Sequence, residues 1–352
     1  MTLEALLRLA KDRGASDLLV MVGDAPAIRV AGHWERLGTT MLTKLQLEEM
    51  ASGLMGPATY ELFQGRRDMD FCRNIPGSGR VRGNIHFQRD HLAMVLRLVW
   101  PEIPTPTELG IPPHILEMSD CPHGLILISG PTGSGKSTTL AAMVEHINQR
   151  RAAHIITLED PIEFMFTNKK SIIEQREIGA DTLSWQDGLR NVLRQAPDVI
   201  VLGELRDLES IQIALLAAET GHLVIASVHS STAHGAIMRM IDVFPSSQID
   251  QVQLQLSQSL RLIFAQQLIT GAQPGTRVMA FEILIATPAI QNLIRTSEYE
   301  QIPNMISAGR DHGMCSFAQC MRDMAQRGRV PQELVRRFEV DATRVVKTNV
   351  RR

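Results

Sequence analysis

The segment Gly130-Pro131-Thr132-Gly133-Ser134-Gly135-Lys136-Ser137, followed by Thr138, carries the strongest chemical signal in the chain. An apolar run of strand length, Leu125–Ser129, feeds it, and a helical stretch through Leu140, Ala141, Ala142, Met143 and Val144 leaves it. The spacing is G-x-x-x-x-G-K-S in the strand–loop–helix setting that a P-loop requires. Its glycines let successive backbone N–H groups turn inward around phosphate oxygens. The helix N-terminus adds partial positive charge at the same point. Lys136 has the reach for β- and γ-phosphates, and the Ser137 hydroxyl is of the type that ligates Mg²⁺. The sequence therefore predicts a nucleoside triphosphate site built from Gly130 to Thr138.

Transfer of a phosphoryl group to water needs a metal, a charge clamp and a carboxylate that orients the attacking water. Two acidic clusters follow apolar runs and could supply the carboxylate. In the first, Asp198-Val-Ile-Val-Leu-Gly-Glu204-Leu-Arg206-Asp207, Glu204 falls just past the carboxyl end of a strand, where α/β sheets place their ligands. In the second, Glu159, Asp160 and Glu163 crowd the end of Ile155–Leu158 around Pro161. Taken singly, each cluster also reads as a helix N-terminus with dipole-matched acids. A third stretch, Thr220-Gly221-His222-Leu-Val-Ile-Ala-Ser-Val-His229, brackets a strand with two histidines. A histidine at a strand end is often structural; the functional alternative is a γ-phosphate sensor.

The elements that must position these groups fall into two patterns. Thr2–Arg13 reads as an amphipathic helix, Leu18–Met21 and Ala27–Val30 as strands, and Lys44–Leu54 and Pro57–Phe63 as helices. Arg80–Arg89 and Leu92–Trp100 read as further strands, so residues 1–100 are expected to form a small α+β domain. Six of the 17 prolines then lie within 22 residues, Pro101 to Pro122, a stretch read as a linker (101–123) with neither helix nor central strand. Beyond it, apolar strands (Leu125–Ser129, Ile155–Leu158, Val199–Leu202, Leu223–Val228) alternate with helices (Thr138–Gln149, Trp185–Gln195, Leu208–Glu219). That alternation predicts a mostly parallel sheet covered by helices over 124–270. From Ser247 onward the pattern is read as largely helical, broken by a hairpin around Gly271–Gly275, which makes 271–352 a mainly helical C-terminal region.

Composition narrows the class. The 352 residues suggest two or three domains, with 44% hydrophobic and 21% charged residues, ordinary for a globular chain. A net charge of −2 and 4% aromatic residues argue against a nucleic-acid translocase. No apolar run approaches the roughly 18–20 residues of a membrane span, and the N-terminus lacks the charged region of a signal peptide. Cys72, Cys121, Cys315 and Cys320 are too scattered for a disulfide framework, and a reduced cytoplasmic protein is expected. The last 32 residues hold nine Lys/Arg against four Asp/Glu, read as a solvated helical face.

Together these stretches resemble the secretion and type IV pilus ATPase superfamily: Walker A at Gly130–Ser137, Asp box at Glu159–Glu163, Walker B at Asp198–Glu204 and His box at His222–His229. The likeness extends to Leu193–Asp198, Ile241–Pro245, Ser16-Asp17-Leu18 and Gly79–Arg82, so it covers nearly the whole chain. Within the superfamily the sequence is most similar to the PilT-type pilus retraction ATPases, through Ala289-Ile290-Gln291-Asn292-Leu293-Ile294-Arg295 and through the missing tetracysteine motif. Gln291 stands where that motif has arginine, and Leu19 where histidine is common. As a plain helix, the same segment would turn Ile290, Leu293 and Ile294 inward.

The resemblance implies an α/β architecture: a PAS-like α+β domain joined by the proline-rich linker to a RecA-like P-loop ATPase domain with a helical C-terminal part. It implies ATP as substrate with Mg²⁺ held by Ser137 and Glu204. Glu163 would be the general base and Glu204 the Walker B acid. His222 and His229 would be sensors, and Arg80, Arg82 and Arg97 would complete a charge clamp beside Lys136. It implies a homo-hexamer working at an inner-membrane pilus platform protein, with a paralogous retraction ATPase as a further partner and no nucleic acid. The location implied is cytoplasmic, peripheral at the inner face of the membrane. Pilus assembly, type II secretion, DNA uptake, an accessory retraction ATPase and a non-motor nucleotide-binding regulator are the alternatives.

Overall fold

The computed structural model describes residues 2–336 apart from 31, 76–78, 100–102 and 274. The chain divides into two compact units, Met1–Glu102 with Glu163–Met165, and Ile103–Ile162 with Phe166–Arg352.

In the first unit, α1 (Leu3–Asp12) starts at Thr2, whose hydroxyl accepts the Ala5 N–H, and it buries Leu3, Leu6, Leu7 and Ala10. Strands β1 (Asp17–Met21), β2 (Ala27–Val30) and β3 (His33–Arg36) follow. Helix α2 (Lys44–Met55) opens with a Thr43/Gln46 capping box, and α3 (Pro57–Arg66) opens on proline. Strands β4 (Asp68–Ile75), β5 (Gly79–Gln88) and β6 (His91–Val99) complete an antiparallel sheet of order β3-β2-β1-β6-β5-β4. Alternation sets its two faces: Val81, Ile85, Leu92, Met94, Leu96 and Leu98 are buried together with the helices. On the other face the pairing register makes one row of Cys72, Arg82, Arg97, Asp17 and Arg29.

The second unit begins with two short helices, α4 (Pro106–Leu109) and α5 (Pro113–Glu117). They correct the expectation that this proline-rich stretch holds no helix. Pro106 and Pro113 both stand in the first turn, where the missing N–H would have had no helical partner anyway, and Thr105 and Glu108 add a capping box.

A seven-stranded sheet follows, built from β7 (Gly124–Ser129), β8 (His154–Glu159), β9 (Ile172–Glu177), β10 (Val199–Leu202), β11 (Leu223–Val228), β12 (Leu260–Thr270) and β13 (Arg277–Ile285). Its order is β13-β12-β7-β11-β10-β8-β9, parallel throughout except for the β12–β13 hairpin. Helices α6 (Lys136–Arg150), α7 (Trp185–Val192), α8 (Leu208–Glu219), α9 (Ala233–Ile241), α10 (Ile249–Ser259), α11 (Pro288–Arg295), α12 (Ile302–Ala308) and α13 (Phe317–Gln326) complete the unit. Leu125 and Leu127 of β7 enter one core while Ile126 and Ile128 enter another, so the sheet is packed on both faces.

The hairpin expected around Gly271–Gly275 is the β12–β13 turn, but its strands, Leu260–Thr270 and Arg277–Ile285, are much longer than a break in a largely helical region, and that part of the expectation is corrected. Leu260, Leu262, Ile263, Phe264, Ala265 and Gln266 are all buried, so the period-2 pattern that marks a strand is erased. Edge strand β9, with its exposed and half-buried side chains, and strands β3 and β4 were not legible for the opposite reason: they lack a clean apolar face. Part of the basic C-terminal stretch, residues 337–352, lies outside the described residues.

Candidate nucleotide site

Strand β7 ends at Ser129, and the loop that follows is shaped by three glycines. A Cβ at Gly130 would lie 2.4 Å from Ser134 Oγ and 2.5 Å from the Gln266 carbonyl oxygen, so only glycine fits. Gly133 and Gly135 have φ of +76° and +88°, the left-handed region open to glycine. Lys136 folds back and donates from Nζ to the carbonyls of Gly130 (2.9 Å) and Pro131 (3.1 Å). Gln266, fully buried on β12, donates from Nε2 to the Ser134 carbonyl at 2.7 Å and so fastens the loop from behind. The sequence reading missed this residue. A polar amide inside an otherwise apolar strand was the available signal.

Strands β7 and β11 run in parallel register, Gly124 level with Leu223 and Ser129 level with Val228. The P-loop therefore leaves the same sheet edge as His229. Strand β10 stops at Leu202, level with Ala226, two residues short of that edge. Gly203 and Glu204 cover the difference. The Gly203 N–H binds the Leu158 carbonyl at 2.8 Å, the Leu205 N–H binds the Ser227 carbonyl at 2.9 Å, and Ser227 Oγ donates to the Gly203 carbonyl at 2.5 Å. So pinned, Glu204 meets His229 Nε2 through Oε1 at 3.2 Å and Arg206 through Oε2 at 2.6 Å. Its side chain is 15% exposed. The hydrogen bond that Arg206 donates to Glu204, with the fields of Glu204 and Asp160 behind it, outweighs desolvation and raises the guanidinium pKa above its ordinary value. Ser129 Oγ also donates to the Ser230 carbonyl at 2.5 Å, which ties the loop after β11 to the strand that carries the P-loop.

Not every expected site residue joins this cluster. His222 sits at the other end of β11, beside Gly124 at the start of β7, with its Nδ1 3.1 Å from the Ala217 carbonyl. Six strand residues separate it from His229, seven steps or about 23 Å at ~3.3 Å per residue. The structure thus does not bring His222 to the P-loop of its own subunit. Glu163 is exposed, makes no side-chain hydrogen bond or ion pair among the described residues, and groups with the first unit. Glu159 accepts from Thr157 Oγ1 (2.7 Å) and Gln175 Nε2 (3.1 Å), a role internal to the sheet edge.

Among the arginines, Arg97 Nε holds the buried Asp17 carboxylate at 3.0 Å, and Arg80 reaches Asn74 Oδ1 at 3.3 Å. Arg82 is exposed, level with Arg97 on one side and Cys72 on the other in the cross-strand row. Among the described residues no three His, Cys, Asp or Glu side chains gather as a metal cage. The Ser137 hydroxyl and the Glu204 carboxylate are hard oxygen donors, of the kind Mg²⁺ takes one or two at a time beside water and phosphate oxygens. They fit that ion.

Residues 111–348 match the family described as Type II/IV secretion system protein. The chain belongs to that family. Among its relatives is the type IV pilus retractation ATPase PilT of Pseudomonas aeruginosa, 40% identical over 336 residues, 96% of this chain and 97% of that protein. Another is a twitching motility protein of Neisseria gonorrhoeae, 37% identical over 333 residues, 95% of this chain and 89% of that one. A solved structure of the pilus retraction motor PilT with bound ADP superposes with a TM-score of 0.88 at 39% identity, covering 95% of this chain and 96% of that one. The family shares the α/β architecture of an N-terminal β-sheet domain and an ATPase domain seen here. The A-I-Q-N-L-I-R segment is helix α11, with Ile290, Leu293 and Ile294 buried in the core and Gln291 and Asn292 on the outer side.

Proposed function

We propose that the chain is an ATP-hydrolysing motor that powers type IV pilus retraction. The observation that carries the chemistry is Glu204, clasped between Arg206 and His229 at the sheet edge from which the P-loop leaves. Lys136 exchanges its loop carbonyls for phosphate oxygens when ATP enters, and the inward N–H groups of Gly133 to Ser137 hold the remaining oxygens. Mg²⁺, held by Ser137 with Glu204 beside it, would neutralise charge on the transferring phosphoryl. Glu163 serves as the base that orients water. His229 reads the state of the γ-phosphate through its contact with Glu204. Arg80, Arg82 and Arg97 supply the cations that the P-loop unit lacks beyond Lys136 and Arg206, within one subunit or from a neighbour.

The same reading makes the working form a homo-hexamer in the cytoplasm, docked on a pilus platform protein at the inner face of the membrane, with a paralogous ATPase as a partner. Swinging a hinge from about 1:99 to 99:1 needs about 5.5 kcal/mol of differential binding. Two to four charge-assisted hydrogen bonds of roughly 1.5–3 kcal/mol each meet that demand. The domain reading puts the first domain at 1–100, the linker at 101–123, the ATPase core at 124–270 and the C-terminal region at 271–352. Gln291 keeps open a second reading, a motor for assembly, secretion or DNA uptake.

The test is ATPase turnover of the wild type beside Glu204→Gln, with complementation of twitching in a retraction-null cell. Magnesium-dependent hydrolysis lost in the variant, with motility rescued by the wild type alone, is expected. Hydrolysis without rescue overturns retraction in favour of the second reading, and no hydrolysis by the wild type overturns the motor.

A further inference from the structure

Helix α13, the loop before it and the proline-rich start of the second unit enclose a cavity of about 520 Å³, a size typical of small-molecule sites. No residue of the P-loop lines it, nor do Glu204, Arg206 or His229, so it is separate from the nucleotide site. Its floor is apolar. Ile111 just after α4, Ile283 of β13, Met314, and Met324 of α13 are all buried. The thiols of Cys315 and Cys320 join them, and burial pushes both up, to about 11 and about 12, so they stay neutral.

The charged groups gather on the rim, and their charges do not cancel. Arg310 faces Asp323 at 3.7 Å, the one carboxylate that the described residues contribute to the lining. Arg327 and Arg329, exposed just after α13, make no side-chain hydrogen bond or ion pair among the described residues. Arg329 is nonetheless fixed in place. Its N–H donates to the Met324 carbonyl at 2.9 Å and its carbonyl accepts the Ala272 N–H at 2.8 Å. Its guanidinium reaches Gly110, where a Cβ would stand 3.5 Å from Nη1. His114 Nε2, 3.1 Å from the Gly313 carbonyl, ties the α5 wall to the loop before α13.

An apolar hollow with unpaired guanidinium groups at its mouth complements a ligand that is anionic at one end and apolar at the other. We propose that this cavity binds a small organic anion, a carboxylate, sulfonate or phosphate ester on an apolar body, at a site independent of the P-loop.

Anilinonaphthalene sulfonate is the probe, with phenylnaphthylamine, the same body without the sulfonate, as its neutral counterpart. Fluorescence titration of the full chain should show the sulfonate saturating a single site per chain, about tenfold more tightly than the amine. Saturating Mg-ADP should leave that binding unchanged. Arg327→Ala combined with Arg329→Ala should weaken the sulfonate about tenfold and move the amine by less than about twofold. Asp323→Asn removes the competing negative charge and should tighten the sulfonate about threefold. ATPase turnover should stay at the wild-type level in both variants. Because the two variants move affinity in opposite directions, a general loss of folding cannot imitate the expected pattern.

A wild type without a saturable site for the sulfonate overturns the inference. So does equal binding of the two probes, or an arginine-free variant that holds the sulfonate as tightly as the wild type, since either result makes the hollow a plain apolar void. Weaker sulfonate binding in Asp323→Asn overturns the charge argument and the proposal with it. Displacement of the sulfonate by Mg-ADP assigns it to the nucleotide site and overturns an independent one.

Discussion

Replacing Gln266 with leucine separates loop geometry from fold stability. Gln266 is fully buried, and its Nε2 donates to the Ser134 carbonyl at 2.7 Å, while its Oε1 has no hydrogen-bond partner among the described residues. Leucine of similar size removes both atoms. Losing the donor leaves a buried carbonyl unsatisfied, at a cost of about 1–3 kcal/mol, and losing the orphaned Oε1 returns a similar amount. The two nearly cancel, so the melting temperature should move by only a few degrees. The loop itself gains freedom at Ser134, in the middle of the phosphate cradle. Re-ordering it on binding at a cost of about 1–2 kcal/mol weakens ATP roughly 5- to 30-fold. Titration calorimetry with Mg-ATP and thermal melts measure the two effects on the same samples. Gln267→Leu, on the opposite face of β12, is the control. An ATP affinity for Gln266→Leu within twofold of the wild type refutes the reasoning, as does a collapse of stability that accounts for the lost binding.

Three further outcomes follow from the same geometry. Gly130→Ala forces a methyl to within 2.4 Å of Ser134 Oγ and 2.5 Å of the Gln266 carbonyl; it should cost about 1–3 kcal/mol by overpacking and abolish ATP binding, measured by melts with and without Mg-ATP. Arg97→Ala strips the buried Asp17 of its ion pair, whereas Arg82→Ala breaks no hydrogen bond or ion pair found among the described residues; with Arg97 largely solvent-exposed, the loss is about 1 kcal/mol, so the Arg97 variant should melt lower and the Arg82 variant at the wild-type temperature, while both lose turnover. Burial pushes the His146 imidazole below its ordinary value of 6.5, against the opposing pull of Asp120. The fold therefore binds that proton less tightly than the unfolded chain, so the stability it contributes is full above pH 6.5 and is lost as pH falls through the lowered value. His146→Gln should flatten the melting curve between pH 7.5 and about 5, and an unchanged slope would exclude His146 as its source.

The chemistry-bearing motifs were legible because they are local. Gly130 to Thr138 must follow a strand and open a helix, and Glu204 must follow an apolar run; such constraints are written within about ten residues. The helix starts at Thr2 and Thr43 were legible for the same reason, since each threonine binds an N–H three residues on, whereas the one at Thr105 was hidden by the surrounding prolines. The strands that escaped the sequence were those whose pattern depends on distant partners. β12 is buried on both faces and loses its alternation, while β3 and β9 sit at sheet edges with little to bury.

By itself, then, the sequence determined the phosphate cradle, the carboxylate at a strand end and the superfamily, because these rest on spacing and backbone permissiveness along one stretch. Only the tertiary structure decided which groups meet. Parallel register carries His229 to Glu204 and leaves His222 a whole strand length away, although the two histidines are equally prominent in the sequence. Gln266 and Glu282, remote along the chain, are brought beneath the P-loop and the His229 loop by the β12–β13 hairpin. Sheet register is set by packing on both faces at once, and no single segment contains that information.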